Sequence, residues 1–220
     1  MLVNFLFVYF ITIIYSIYLF KNKYETSIIL ILLTSITLKL FLIFIEINNS
    51  YINQFTFRDE STFILYTLTN YKNSYLSLSP GDNFLTSILS IVYFITNSEI
   101  SIKIIPLVFS LICFHYILKI CSNLGLYNYE LPILILFLFW PSNIFFHYSV
   151  TKEFLQLTFM IISTYYFLKV MTNNNLINYL KVFLILLLFS YSHRGFEIVS
   201  FVILFYLFLD FLLKKIKIIF

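Results

Sequence analysis

Apolar runs of roughly 18 to 20 residues recur along almost the whole chain, each long enough to cross the hydrocarbon core of a bilayer as a helix. Within that core every backbone N–H and C=O must be bonded by protein, which leaves helices or a closed barrel. A barrel would show alternating segments of about ten residues, and these runs do not alternate. The expectation is an all-α polytopic membrane protein. Composition agrees: 61% of the 220 residues are hydrophobic, and 28 Phe and 18 Tyr stand against 3 Gly, whereas a soluble domain is nearer one-half apolar.

The runs predict about seven transmembrane helices, over residues 2–20, 27–46, 101–119, 130–147, 154–171, 179–191 and 197–213, forming one membrane domain over 1–220. The first run has no basic leader and no small-residue cleavage site, so it reads as a retained span and not a signal peptide. Residues 84–96, "FLTSILSIVYFIT", are apolar but short, which suits an interfacial or re-entrant helix. The distribution of basic residues supports this. If 84–96 does not cross, Lys21, Lys23, Lys119, Lys169, Lys181, Lys214, Lys215 and Lys217 share the cytoplasmic side. Arg58, Lys72, Lys103, Lys152 and Arg194 then share the outer side, with the N-terminus, and residues 47–100 form an outer segment carrying short juxtamembrane helices. If 84–96 does cross, the later lysines move outside, against the rule.

This arrangement collects Glu46, Asp59, Glu60, Asp82, Glu99, Glu153 and Glu197 at the outer face. Three stretches there carry chemistry. "FRDESTFILY" sets Arg58, Asp59 and Glu60 ahead of a short amphipathic surface helix containing Tyr66; its bland alternative is a helix cap in a solvated loop. "FWPSNIFFHYSVTKEF" breaks at Pro141 and Ser142 and then presents Ser149, Lys152 and Glu153; its bland alternative is a polar turn. "YSHRGFE" packs His193, Arg194 and Glu197 into one turn, where an arginine at this depth calls for an anionic partner, a lipid phosphate or Glu197.

Other polar residues are read structurally. Lys39, inside the second span, snorkels outward or pairs with Glu46. Asp210 pairs with Lys214 one turn on. His115 is a packed side chain, and Cys113 and Cys121 are packing residues with no paired pattern. His147 and His193 lack metal-ligand spacing. No P-loop, dinucleotide fingerprint or nucleic-acid-binding basic tract is present, and no repeat of the transporter kind.

The order of these features resembles the GT-C membrane glycosyltransferases, in the group of the aminoarabinose transferase and the protein O-mannosyltransferases. The matching residues are Asp59-Glu60 with Tyr66 in the first outer loop, "SPGDNFLTSILSIVYFITNSEISIK" after it, Pro141, Ser149 and Glu153 at the end of a later span, and Ser192-His193-Arg194. They cover about residues 50–213. Members of that family are usually longer, so the resemblance implies a truncated member. It implies a polyprenyl-phosphate-linked sugar donor and a glycan, lipid or protein acceptor, used at the outer face of a cell membrane. The abundance of Ile, Asn, Lys and Phe suggests an AT-rich genome and a bacterial inner membrane. In that reading Asp59 is the general base, and Glu60 and Glu153 orient the acceptor or hold a divalent metal. Lys152 and Arg194, with Arg58, neutralise the leaving phosphate, and Tyr66, Ser149 and His193 bind substrate. The alternative class is a non-catalytic membrane subunit or a polysaccharide polymerase or export component.

Cysteines introduced near Asp59, Ser149 and Gly195 are expected to react with an impermeant thiol reagent from outside, and those near Asn123 and Asn174 are not. Labelling of Asn123 and Ser149 from one side contradicts the placement of 84–96.

Overall fold

The computed structural model describes residues 2–48, 63–69, 82–173, 175–192 and 197–219, which contain helices and no strand. The helices are α1 (Leu2–Lys21), α2 (Thr26–Asn48), α3 (63–69), α4 (Asp82–Thr96), α5 (Glu99–Asn123), α6 (Glu130–Phe139), α7 (Pro141–Tyr148), α8 (Glu153–Thr172), α9 (Leu176–Ser192) and α10 (Glu197–Ile219). Four of them hold stretches long and apolar enough to cross a membrane: Asn4–Lys21, Thr26–Ile47, Glu99–Asn123 and Glu153–Thr172. Shorter apolar stretches lie at Phe84–Thr96, Tyr127–Phe139, Leu176–Ser192 and Ile198–Asp210.

The hydroxyls inside these helices are absorbed locally. Thr12 donates to the Val8 carbonyl, Ser16 to Thr12, Thr37 to Leu33 and Thr158 to Phe154. Each bond closes one turn back on the same helix, so the residue sits in apolar surroundings without a stranded donor. Two helices end in the same cap. At the end of α1, Lys23 takes φ 61°, its N–H meets the Phe20 carbonyl and the Tyr24 N–H meets that of Leu19. At the end of α5, Gly125 takes φ 70°, with Gly125 N–H on Ser122 and Leu126 N–H on Cys121. This left-handed cap ties off the last carbonyls and favours glycine; α1 builds it with a lysine.

The apolar run 130–147 is not one helix. Trp140, at φ −61° and ψ 128°, is extended and separates α6 from α7. A residue preceding proline is pushed out of the helical region, and proline suits the first position of a new helix, so Pro141 ends one helix and begins the next. The side-chain amide of Asn143 donates to the Phe137 carbonyl at 2.9 Å, satisfying an acceptor that the break exposes.

Cross-helix contacts set the directions. α1 runs parallel to α5: Asn4 Nδ2 donates to Ser98 and Ser101, and Tyr15 Oη lies 2.9 Å from His115 Nδ1. α2 runs against α5, because Lys39 meets Ser110 while Glu46, farther along α2, meets Lys103, farther back on α5. α8 runs parallel to α5, with Phe154 on Phe109, Thr158 on Cys113 and Tyr165 on Tyr116. α9 returns along α8, and α10 along α9, with Ser200 on the Leu186 carbonyl and Tyr179 on Asp210. Lys21, Lys23, Lys119, Lys169 and Lys181 therefore gather toward one end of the bundle, and Lys103 and Lys152 toward the other.

The core has three parts. One, including Val8, Leu32, Ile36, Leu107, Phe114 and Leu134, joins α1, α2, α5 and α6. A second joins Phe63, Leu85 and Leu89 of α3 and α4 to Ile102, Val150 and Phe154. The third, Val170, Val182, Leu186, Phe189 and Leu207, joins α8, α9 and α10.

Two side chains depart from their expected partners. Lys39 neither snorkels nor reaches Glu46; it is fully buried and bonded to Ser110. Glu46 instead pairs with Lys103, where the two side chains are 3% and 17% exposed. Asp210 accepts from Tyr179, and the side chain of Lys214, its expected partner, lies outside the described residues. Local spacing cannot reveal such partners, because they come from other helices.

Removing one member of a buried ion pair costs about 3–5 kcal/mol when it leaves the other charge uncompensated. Lys103→Met is therefore expected to lower the melting temperature in detergent more than Glu46→Gln, which removes the buried charge itself. Equal shifts, or the reverse order, contradict the pairing.

Candidate functional site

The contacts of Phe154 with Phe109 and Thr158 with Cys113 put the start of α8 beside the middle of α5, nine or so residues below its N-terminus. At 1.5 Å per residue that is a recess of about 14 Å. α3 and α4 border it: Phe63, Leu85 and Leu89 share one buried apolar cluster with Ile102, Val150 and Phe154, and Ser90 Oγ donates to the Thr67 carbonyl, tying the two short helices together. The turn between α7 and α8 is consequently interior, and Ser149, Val150 and Thr151 are all buried.

A layer of polar side chains crosses the bundle at this depth. Lys39 Nζ donates to Ser110 Oγ at 2.8 Å, and Cys113 Sγ lies 3.2 Å from Thr158 Oγ1. His147, at the end of α7, is fully buried with its ring 5.7 Å from that of Phe137. Several polar atoms here are buried without a hydrogen-bond partner among the described residues: both ring nitrogens of His147, Thr151 Oγ1, Gln156 Nε2 and, one turn before Lys39, Ser35 Oγ. Buried polar groups are nearly always bonded, so a cluster of orphans marks a place where water or a ligand completes the set.

The sequence-predicted residues fall in three groups. Ser149, Lys152 and Glu153 adjoin this layer; Ser149 is buried, Lys152 and Glu153 are half-buried, and Glu153 stands in the first turn of α8, where the helix dipole favours a carboxylate. Tyr66 is on α3 but 54% exposed, whereas Phe63 and Thr67 on the same helix are buried, so Tyr66 stands at the exposed edge of the packed face. Arg58, Asp59, Glu60, His193 and Arg194 lie outside the described residues. The segments that lead to them are anchored nearby: Phe63 in the second core, and Ser192, buried, at the end of α9, where the Tyr191 ring lies 6.0 Å from that of Phe84.

Lys39 and His147 are the residues that sequence reasoning set aside. The signal for Lys39 was present, since a lysine within a membrane span is costly and faces the bundle interior. His147 carried no such signal, because a histidine near a predicted outer surface is ordinary, and only the packing of α7 shows that it is buried. Among the described residues no three of His, Cys, Asp and Glu are grouped so as to hold a metal ion. Comparison with family models, with curated proteins and with solved structures finds no match for this chain.

Ser110→Ala leaves the Lys39 ammonium buried without its partner and is expected to destabilise by about 1–3 kcal/mol. Lys39→Met in the same background fills the space without a charge, so the double variant is expected to recover most of the loss, a non-additivity visible in detergent melts. Additive losses contradict the pair.

Proposed function

We propose that the chain is a membrane glycosyltransferase of the GT-C kind, with seven spans, α4 lying at the outer face without crossing, and an inverting site at the outer end of the bundle. The observation that carries this reading is the recessed α7–α8 turn. It holds buried polar atoms without partners, has Lys152 and Glu153 at its edge, and is covered by α3, the helix that follows Arg58-Asp59-Glu60 directly. Phe63 follows Asp59 by four positions, so covalent geometry limits Asp59 to within about 14 Å of that anchor. Support for a non-crossing α4 comes from its two ends: Thr96 lines a cavity with Asn4 of α1, toward the end that holds Lys103, and Phe84 meets Tyr191 at the end of α9, beside the start of α8, so α4 reaches no deeper than that start.

The donor is a sugar on a polyprenyl phosphate. The acceptor hydroxyl oxygen attacks the anomeric carbon as the bond from that carbon to the phosphate oxygen breaks, and the electron pair leaves with the lipid phosphate. Asp59 takes the hydroxyl proton. Lys152 and Arg194, with Arg58, offset the charge that develops on the departing phosphate, and a guanidinium fork suits phosphate best. Glu60 and Glu153 orient the acceptor; a divalent cation would draw on the same carboxylates. One displacement at that carbon inverts its configuration.

A general base contributes typically 10²–10⁴ in rate. In membranes supplied with radiolabelled polyprenyl-phosphate sugar, Asp59→Asn is expected to remove most transfer while expression and insertion persist. Glu60→Gln is expected to be milder, and Arg194→Lys to weaken donor use. Turnover of Asp59→Asn within a few-fold of wild type contradicts the base assignment; no transfer by the wild-type chain contradicts the reading as a whole.

A further inference from the structure

At the end of the bundle away from the recess, three lysines from three helices converge on three tyrosine rings. Lys119 Nζ of α5 lies 5.5 Å from the Tyr116 centroid and 5.6 Å from that of Tyr165. Lys169 Nζ of α8 lies 5.3 Å from the Tyr165 ring, and Lys181 Nζ of α9 lies 5.2 Å from the Tyr166 ring. The rings themselves interlock, with Tyr116 on both Tyr165 and Tyr166. Ring faces attract ammonium groups, and here they hold like charges close together. Among the described residues none of the three lysines forms an ion pair. Asp210 on the adjoining α10 accepts from Tyr179. Lys119 and Lys169 are half-buried and Lys181 is exposed, so the cluster is open from outside the bundle.

An apolar groove meets this cluster. It lies between α1 and α5, has a volume of about 400 Å³, and is lined at depth by Ile11, Val108, Leu111 and Ile112. Tyr116 lines it too, so one ring is shared by the groove and the lysines. Both helices are long and apolar enough to span a bilayer, which puts their ends at headgroup depth and the groove among acyl chains. A cationic cluster with no acid paired to it among the described residues, continuous with an apolar slot, matches one kind of occupant: an anion attached to a hydrocarbon tail.

We propose that this is a binding site for an anionic phospholipid, its phosphate held among Lys119, Lys169 and Lys181 and one acyl chain laid in the α1–α5 groove. The site is separate from the proposed transfer site and stands whether or not the chain is a transferase. It tethers α1, α5, α8 and α9 at one end through a molecule that the membrane supplies.

The test is native mass spectrometry and thermal melting of the full chain, purified in detergent and titrated with phosphatidylglycerol, phosphatidylcholine, polyprenyl phosphate or inorganic phosphate. Three lysines near a headgroup are expected to give phosphatidylglycerol at least about a tenfold preference over phosphatidylcholine. The Lys119→Gln/Lys169→Gln/Lys181→Gln variant is expected to lose that preference. The corresponding triple arginine variant, which keeps the charge, is expected to retain it, and each single glutamine variant to lose part of it, which covers a triple glutamine variant that does not fold. Ile112→Trp, which fills the groove, is expected to weaken phosphatidylglycerol binding with the lysines intact. Equal binding of the two phospholipids overturns the proposal, as does a preference that survives the three glutamines. Competition by millimolar inorganic phosphate, or stronger binding of polyprenyl phosphate, overturns the choice of occupant.

Discussion

The register between α5 and α8 is the constraint on which the rest of the architecture depends. Phe109 on Phe154, Cys113 on Thr158 and Tyr116 on Tyr165 hold two parallel helices with their starts offset by over a third of the length of α5. Side-by-side parallel helices need a long connection, and here that connection is α6, the break at Trp140, α7 and the turn at 149–152. Because α8 starts deep, the turn before it is interior. Because that turn leaves a recess, α3 and α4 have an apolar floor on Val150 and Phe154 to pack against. The same register brings Lys119 and Lys169 onto one tyrosine at the opposite end.

Polar groups then decide how the bundle can be used. Most hydroxyls in the long helices are absorbed one turn back and do no more than let the helix run through apolar surroundings. Lys39 and Glu46 differ, since each is buried and partnered from α5, by Ser110 and Lys103. These contacts tie α2 to α5 at two depths and fix its rotation, because an ammonium or carboxylate turned toward lipid would be far more costly. The orphaned atoms of His147, Thr151 and Gln156 are not explained by such ties. They lie on or beside the α7–α8 turn that carries Ser149, Lys152 and Glu153, and the proposal of a ligand site rests on that coincidence.

Helical class, the shortness of the segment around 84–96, and the gathering of lysines toward one end all follow from local information: run length, hydropathy and charge. Those features were legible in the sequence, as were Ser149, Lys152 and Glu153 as polar residues at a break. The rest depends on contacts between distant parts of the chain. Lys39 has Glu46 two turns away on its own helix, and only the packing of α2 on α5 shows that Ser110 is its partner. Pro141 was visible, but the apolar residues on both sides made 130–147 look like one span, and the break at Trp140 is what sets His147 inside. The sequence places Tyr66 on a short amphipathic helix; it is exposed, and Phe63 is the residue of that helix that enters the buried cluster of Val150 and Phe154.

The central claim is that α3, which follows Arg58-Asp59-Glu60 in the chain, shares its buried contacts with the α7–α8 turn. The direct measurement is cross-linking in native membranes. With Cys113 and Cys121 replaced by serine, cysteines at Phe63 and Val150 would be treated with a short bis-maleimide and scored by loss of reaction with a bulky thiol reagent. Phe63 with Val150 is expected to cross-link readily, and Phe63 with Tyr127, at the other end of the bundle, is not. Failure of the first pair, or equal yield from both, would contradict the anchoring and separate the charges at 58–60 from Ser149, Lys152 and Glu153.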